Sequence, residues 1–314
     1  MIRSTDDYPN RMITLRQLEI FLAVAHREHV TDAAAAVHLS QSAVSTALAE
    51  LADRLGGPLF ERVGRRIVLN DRGRKLAEDA SDLVLRASDL VQHYNHGDTL
   101  KGSLRIGASS TIGTYLLPEL IGTFVAAHPD VDINLEIGNT EAIEDHLRSQ
   151  QLDLAFIEGP SHHSQIAATP WRQDELLVFA AAGHKLAKRR QLSLDDLAAE
   201  RWIMREPGSG TRSVFEDALR SHDVQLHAAL TFGSSEAVKQ GVRSGLGLGC
   251  LSELAVRREL ASGDLVALKV KGLNLQRRLW RIAREAGYQS KLQRACIEHM
   301  EQETKARKKR LGRR

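Results

Sequence analysis

From Leu15 the chain returns an apolar residue every three or four positions. LRQLEIFLAVA sets Leu15, Leu18, Phe21, Leu22 and Ala25 on one face and predicts an amphipathic helix. The alanine-rich run Thr31–Val37 predicts a second, shorter helix with Thr31 as its N-cap. After His38-Leu39-Ser40, Val44, Leu48, Leu51 and Leu55 recur at helical spacing, and Ser40 can cap a third helix that opens at Gln41. The outward residues of its first turns are Gln41, Ser42, Ser45 and Thr46, in place of the Lys and Glu that a solvated face usually carries. Phe60 and Ile67-Val68-Leu69 predict a short hairpin that bends at Val63-Gly64 and leads into an Asn70-Asp71-Arg72-Gly73 turn. Leu76, Ala80, Leu83, Ala87, Leu90 and Tyr94 then follow at spacings of 4, 3, 4, 3 and 4, the seam of a coiled coil over residues 74–97. A polar, glycine-bounded stretch at 98–102 reads as a hinge.

At Ser103 the periodicity changes. Leu104, Ile106 and Ala108 alternate as a strand, a helix follows over Tyr115–Ala127, and Val131, Ile133, Leu135 and Ile137 alternate again. A helix over Glu141–Ser149 and the apolar strand LDLAFIE complete a succession that predicts a parallel sheet with helices on both faces. After about Glu175 the pattern restarts with LLVFAAA, WIMRE, HAALTF, GLGLGCL and LVALKV, and LWRIARE (279–285) is expected to return to the first lobe. The fold class is therefore α+β and multi-domain. A winged helix-turn-helix (12–73), a dimerisation linker helix (74–97) and the hinge (98–102) precede a two-lobed α/β domain of the periplasmic-binding-protein type (103–290). Lobe I is expected at about 103–175 and 276–290, lobe II at about 176–275, and a C-terminal helix with a basic tail at 291–314.

Composition narrows the classes. A length of 314 residues suits two or three domains, and the net charge of +3 says little by itself. Its one concentration is the tail KARKKRLGRR, which reads as a solvated end or as an aid to nucleic-acid affinity. Cys250 and Cys296 make no disulfide framework, which suits a reducing compartment. MIRSTDDYPNRM lacks the apolar core of a signal peptide, and no run reaches the ~20 apolar residues that span a bilayer. A soluble, cytoplasmic protein without a membrane partner is expected. His162-His163 lack a third ligand at zinc spacing, GLGLG (245–249) reads as a turn into a strand, and Cys250 in its apolar strand reads as buried and inert. The absence of GxSxG or of a paired acid and base argues against an enzyme, and no metal or cofactor is expected.

The chemistry sits at two places. A short helix, a tight turn and a longer helix form a helix-turn-helix, whose second helix meets base edges with its N-terminal residues. Gln41 can pair with adenine, and Ser42, Ser45 and Thr46 can donate or accept while letting the helix sit deep in a major groove. Arg62, Arg65, Arg66, Arg72 and Arg74 crowd the hairpin and suit phosphate. The seam through Leu76 and Tyr94 would pair two such domains on a dyad-related DNA site. With these residues LRQLEIFLAVA and TDAAAAVHLSQSAVSTALAELADRLGGPLFERVGRRIVLNDRG, the chain resembles the LysR-type transcriptional regulators over Ile13–Gly73. The resemblance implies a bacterial DNA-binding regulator with a C-terminal effector domain. It implies assembly as a dimer of dimers and contact with RNA polymerase, with Thr31 and the helix from Gln41 at the DNA.

The second place is a set of strand-to-helix junctions rich in hydroxyls: Ser109, Ser110 and Thr111; Gly208, Ser209, Gly210 and Thr211; Ser234 and Ser235. Each offers free N–H groups to an anion, although each also suits ordinary helix capping. Glu158, ending a strand beside Gly159-Pro160, could pair with Arg212 or hydrogen-bond a protonated oxygen of a monoanion such as bisulfite. GASSTIGTYLLPELI, FIEGP, REPGSGTR, GSSEAVKQGVRSGLGLGCLS and LWRI resemble the sulfite-responsive CysL/YeiE-like subgroup of the LysR-type regulators. That implies sulfite as effector, held by Ser109, Ser110, Thr111, Glu158, Ser209, Thr211 and Ser234, and control of sulfur-assimilation or sulfite-handling genes. Sulfate, thiosulfate or a carboxylate are the alternatives within the class. A cytosolic solute receptor or an enzyme using the same cleft is the alternative outside it.

Overall fold

The computed structural model describes residues 12–96, 99–161, 163–285 and 287–311. The N-terminal leader, Gly97, the first hinge residue Asp98, His162 and the end of the basic tail lie outside the described residues. The chain divides into two compact units, Met1–Thr99 with Gly287–Lys291, and Leu100–Ala286 with Leu292–Arg314.

In the first unit, α1 (Leu15–Arg27) opens on a capping box. Thr14 Oγ1 accepts from the Gln17 amide and the Gln17 side chain accepts from the Thr14 amide, each at 3.2 Å. Leu18, Ile20, Phe21 and Val24 are buried along its inner face. The next helix, α2, is Val30–Ala36, which moves the expected N-cap. Thr31 lies inside the helix because the Ala33 amide already bonds to the His29 carbonyl at 3.0 Å, so extended His29 holds the cap position without a side-chain bond. Helix α3 (Gln41–Arg54) follows the expected pattern, with Ser40 Oγ accepting from the Ala43 amide and Val44 and Leu51 fully buried. Strands β1 (Phe60–Val63) and β2 (Arg66–Leu69) pair antiparallel around Gly64, whose φ of 62° suits the tight turn of a wing.

The long helix α4 (Asp71–His96) begins three residues earlier than the seam implied. Asn70 Oδ1 accepts from the Gly73 amide at 2.9 Å, so the expected Asn70–Gly73 turn is the first turn of α4. A Cβ on Gly73 would stand 2.0 Å from the Leu59 carbonyl oxygen, so only glycine fits there. The seam is also divided. Ala80 is buried and Leu76 packs with Leu18, Phe21, Leu51 and Leu59 in their own domain. Leu83, Leu90, Val91 and Tyr94 are 51%, 59%, 57% and 80% exposed, leaving the far part of the helix with an uncovered apolar stripe.

The second unit is built on one nine-stranded sheet. In chain order its elements are β3 (Gly102–Ser109), α5 (Ser110–Tyr115), α6 (Leu117–Ala127), β4 (Val131–Gly138), α7 (Thr140–Arg148), β5 (Leu154–Glu158) and β6 (Ile166–Ala181). They continue with α8 (Leu194–Ala198), β7 (Arg201–Arg205), α9 (Gly210–Arg220), β8 (His227–Phe232), α10 (Ser235–Arg243) and β9 (Leu248–Ser252). The last are α11 (Glu253–Ser262), β10 (Leu265–Ala267), β11 (Gln276–Arg284) and α12 (Lys291–Leu311). The strand order is β4-β3-β5-β11-β6-β9-β7-β8, with β10 beside β6.

The sheet is mixed: the expected parallel pairing holds within each lobe, and the crossing strands add antiparallel pairs. β3 runs parallel to β4 and β5, and β7 parallel to β8 and β9, but β6 and β11 run antiparallel to their neighbours. These two strands carry the chain from one lobe to the other and back. The register slips between Leu279, opposite Arg172, and Trp280, opposite Pro170, so Trp171 is bulged. One lobe core gathers Leu104, Ile106, Phe124 and Phe156; the other gathers Trp202, Phe215 and Leu248. Helix α12 is no appendage, because Leu292, Cys296, Ile297 and Met300 pack into the first of these cores.

Candidate DNA-binding face and effector cleft

Gln41, Ser42, Ser45 and Thr46 lie on the outer side of α3, because Val44 and Leu51 turn the opposite face into the core. Beside them a concavity of about 610 Å³ lies between α2, the start of α3 and the wing. Its lining brings Thr31, Gln41, Arg62, Arg65 and Arg66 together and adds Glu28, His29 and Asp32, which sequence reasoning misses. Arg62 and Arg65 are exposed. Arg66 faces the Glu28 carboxylate at 3.3 Å. Arg72 and Arg74 are otherwise engaged than expected: they donate to the carbonyls of Leu55 and Leu69, and Arg74 also pairs with Asp71. The concavity sets three wing arginines beside a helix that presents short polar groups, which suits a nucleic-acid backbone next to a base-reading helix.

In the second unit the hydroxyl junctions converge on two buried arginines. Ser109 Oγ donates to Glu158 Oε1 at 3.0 Å, and the Thr111 amide donates to the same oxygen at 2.8 Å. Glu158 Oε2 receives the Thr211 hydroxyl and Arg277 Nη1, the latter at 2.9 Å. Thr211 comes from α9 in the second lobe, so the carboxylate ties the lobes together. The expected pairing of Glu158 with Arg212 is not formed: Arg212 donates to Glu216 at 2.7 Å and to the Arg205 carbonyl at 3.1 Å. Arg277 also binds Asp174, at 2.7 Å, which receives the Ser252 hydroxyl at 2.8 Å. Burial pushes the Glu158 carboxyl up, but Arg277 and the donors from Thr211 and Thr111 hold it down to about 2, so it is ionised and acceptor-only.

Arg205 is the second centre. At the end of β7, only 3% exposed, it donates to Ser110 Oγ of the first lobe at 3.2 Å and to Ser235 Oγ of the second at 3.0 Å. Its charge is paired with half-buried Glu206 at 2.7 Å. Ser209 is buried and caps α9, and Ser234 is exposed and caps α10, accepting from the Ala237 amide at 3.1 Å. The neighbour Ser235, rather than Ser234, is the residue brought to Arg205. The loop before α9 lies close to the first lobe. The Glu141 amide donates to the Gly208 carbonyl at 3.2 Å, and a Cβ at Gly210 would stand 2.0 Å from the Glu158 carbonyl oxygen. Arg277 escapes a sequence reading because it stands inside a strand with no local motif to mark it, and Arg205, although it opens REPGSGTR, because the hydroxyls of that motif draw the attention.

Both cysteines are buried. Burial pushes the Cys296 thiol up to about 12 and the Cys250 thiol higher still. Among the described residues no group of His, Cys, Asp and Glu could hold a metal ion, and no helix is long and apolar enough to cross a membrane.

A helix-turn-helix with a basic wing, joined in one chain to a two-lobed domain whose lobes meet at two buried arginines, is the architecture of a ligand-responsive DNA-binding regulator. The chain belongs to the LysR family: the profile for the bacterial regulatory helix-turn-helix protein, lysR family, matches residues 15–74, and that for the LysR substrate binding domain matches 97–305. It is a DNA-binding transcriptional regulator and not an enzyme. It is 43% identical to the HTH-type transcriptional regulator YeiE of Escherichia coli K12 over 270 residues, 86% of this chain and 91% of that one. It is 32% identical to the HTH-type transcriptional regulator CysL of Bacillus subtilis over 263 residues, 83% and 88% of the two chains. A full-length OxyR variant from Pseudomonas aeruginosa shares the fold at a TM-score of 0.76 and 24% identity, covering 93% of this chain and 94% of that one. The CcmR regulatory domain of Synechocystis PCC6803 in complex with 2-PG matches at a TM-score of 0.62 and 28% identity, covering 65% and 98%.

Proposed function

We propose that this regulator senses a small oxyanion, sulfite, in the cleft around Arg205, and controls sulfur-assimilation or sulfite-handling genes. It acts in the cytoplasm as a dimer of dimers that engages RNA polymerase from a dyad-related promoter site. The observation that carries the effector reading is the sharing of one buried cation, Arg205, by hydroxyls of opposite lobes, Ser110 and Ser235. An oxyanion exchanging with Glu206 at Arg205 would satisfy the guanidinium and both hydroxyls at once. It would thereby favour the arrangement in which the lobes meet, and only such differential affinity can shift the regulator between states. The choice of sulfite rests on the resemblance of GASSTIGTYLLPELI, FIEGP and REPGSGTR to the sulfite-responsive subgroup, and the likeness to YeiE and CysL over most of the chain agrees with that subgroup. Glu158 contributes discrimination. As an ionised acceptor beside Ser109 and Thr111 it repels a dianion and can accept from the protonated oxygen of bisulfite. The uncovered stripe through Leu83, Leu90 and Tyr94 supports pairing along α4.

A second reading, another small anion such as sulfate, thiosulfate or a carboxylate, is favoured by the likeness to CcmR, whose regulatory domain was solved with 2-PG. Thermal unfolding of the full-length protein in sulfite, sulfate, thiosulfate and chloride at matched ionic strength separates the two. Ligand at about 100 times its dissociation constant adds roughly 2.7 kcal/mol of stability. A sulfite-selective shift that disappears in Arg205→Gln supports the first reading, and a shift with a different anion supports the second. No shift with any of them removes both.

A further inference from the structure

The concavity beside the wing carries two carboxylates, Glu28 and Asp32, where a phosphate-binding surface would be expected to carry none, and Glu28 is the one bonded to the wing. Glu28 ends α1 in the left-handed conformation, φ 54°. Its carbonyl accepts from the Ile67 amide at 2.9 Å, and its carboxylate receives Arg66 Nη1 at 3.3 Å. One residue therefore grips the start of β2 twice, through backbone and through side chain. Arg62 and Arg65, on the same hairpin, are exposed and make no ion pair among the described residues. The Arg66–Glu28 pair is itself open to water, with the side chains 68% and 37% exposed, so it adds little to folding stability. Its consequence lies in the charge of Arg66 and the aim of the wing.

We propose that Glu28 is a positioning and specificity-setting residue for DNA binding. It holds Arg66 as a strut of the wing, withdraws that charge from phosphate, and so limits sequence-independent affinity, leaving Arg62 and Arg65 as the wing's phosphate contacts. Each arginine that neutralises a phosphate steepens the plot of log affinity against log salt by about 0.9, equivalent to roughly a 3.5-fold change in affinity between 50 and 200 mM salt. Releasing Arg66 adds one such contact.

The test uses the full-length protein, fluorescently labelled random-sequence duplex DNA and anisotropy titrations across that salt range. Glu28→Gln, which keeps the size of the side chain, is expected to bind the random duplex more tightly at low salt and to steepen the salt dependence by about 0.9. The gain is expected to vanish in the Glu28→Gln/Arg66→Gln double variant. A wing that merely lost its support would give the opposite sign in Glu28→Gln, weaker binding and a flatter slope. That result, an unchanged slope, or a gain that survives in the double variant each overturns the proposal.

Discussion

Replacing Arg277 by leucine removes the guanidinium that stands between two buried carboxylates. The side chains of Glu158 and Asp174 are each 2% exposed, so neither can regain water without the lobes moving apart. In the intact protein Glu158 titrates at about 2 against an ordinary 4.5. A carboxyl depressed on folding contributes stability above its unfolded value and loses it as pH falls through its folded value. At about 1.4 kcal/mol per unit, Glu158 contributes about 3 kcal/mol at neutral pH. Breaking a buried pair by removing one partner costs roughly 3–5 kcal/mol. The lower end applies here, because Glu158 keeps donors from Ser109, Thr111 and Thr211, and Asp174 keeps Ser252. Without the guanidinium, burial dominates and the Glu158 carboxyl moves upward. The deficit of Arg277→Leu is therefore largest near neutral pH and narrows on mild acidification, as the carboxyl takes up a proton. Urea unfolding near neutral pH and near pH 5 reads this directly by tryptophan fluorescence. Trp171, Trp202 and Trp280, the chain's three tryptophans, all lie in the second unit. A loss below about 1 kcal/mol, of the order of an exposed pair, or a deficit that widens on acidification, refutes the reasoning.

The other expectations rest on single contacts. Gly210→Ala forces a methyl to 2.0 Å from the Glu158 carbonyl oxygen, so the α9 loop must withdraw; a loss of about 1–3 kcal/mol and a smaller thermal response to sulfite are expected by scanning calorimetry. Arg65→Gln flattens the salt dependence of random-duplex binding by about 0.9, and an unchanged slope would show that the wing arginine does not meet phosphate. Leu90→Glu, at a site 59% exposed, weakens self-association in sedimentation, and an unchanged association would show that Leu90 takes no part in pairing along α4. Cys250 and Cys296, buried with both thiols pushed up, are expected to react with Ellman's reagent only on unfolding; fast reaction in the native state would contradict their burial.

The first unit is legible almost residue by residue, because its helices carry a strong period and Ser40 a plain capping signal. Thr31 misleads because a threonine before alanines looks like a cap, while the backbone begins the helix one residue earlier at Val30. The seam on α4 reads as continuous, but sequence spacing cannot say that Leu76 and Ala80 meet Leu18 and Phe21 whereas Leu90 and Tyr94 meet water. In the second unit the alternating strands declare themselves and the lobe-crossing half of β6 does not. IAATPWRQDE has no alternation, since the strand trades core packing for pairing with β11 along most of its length. The hydroxyl junctions are visible as motifs. That Arg205 and Arg277 are their centres is not, since nothing in either local stretch records a partner as distant as Ser110, 95 positions away, or Glu158, 119.

The route of β6 and β11 also governs the order in which the protein is made. The second lobe is an insertion within the first: β3, β4 and β5 leave the ribosome early, but their sheet gains its next strand only when β11 emerges, and its core is completed only when α12 supplies Leu292, Cys296, Ile297 and Met300. Domains tend to fold as units from the N-terminus during synthesis. The helix-turn-helix and wing, whose core is complete once α4 has supplied Leu76, Ala77 and Ala80, are thus available to DNA while the second unit is still unfinished. A chain cut short before Leu292 would keep its helix-turn-helix and wing together with a first lobe that cannot complete its core.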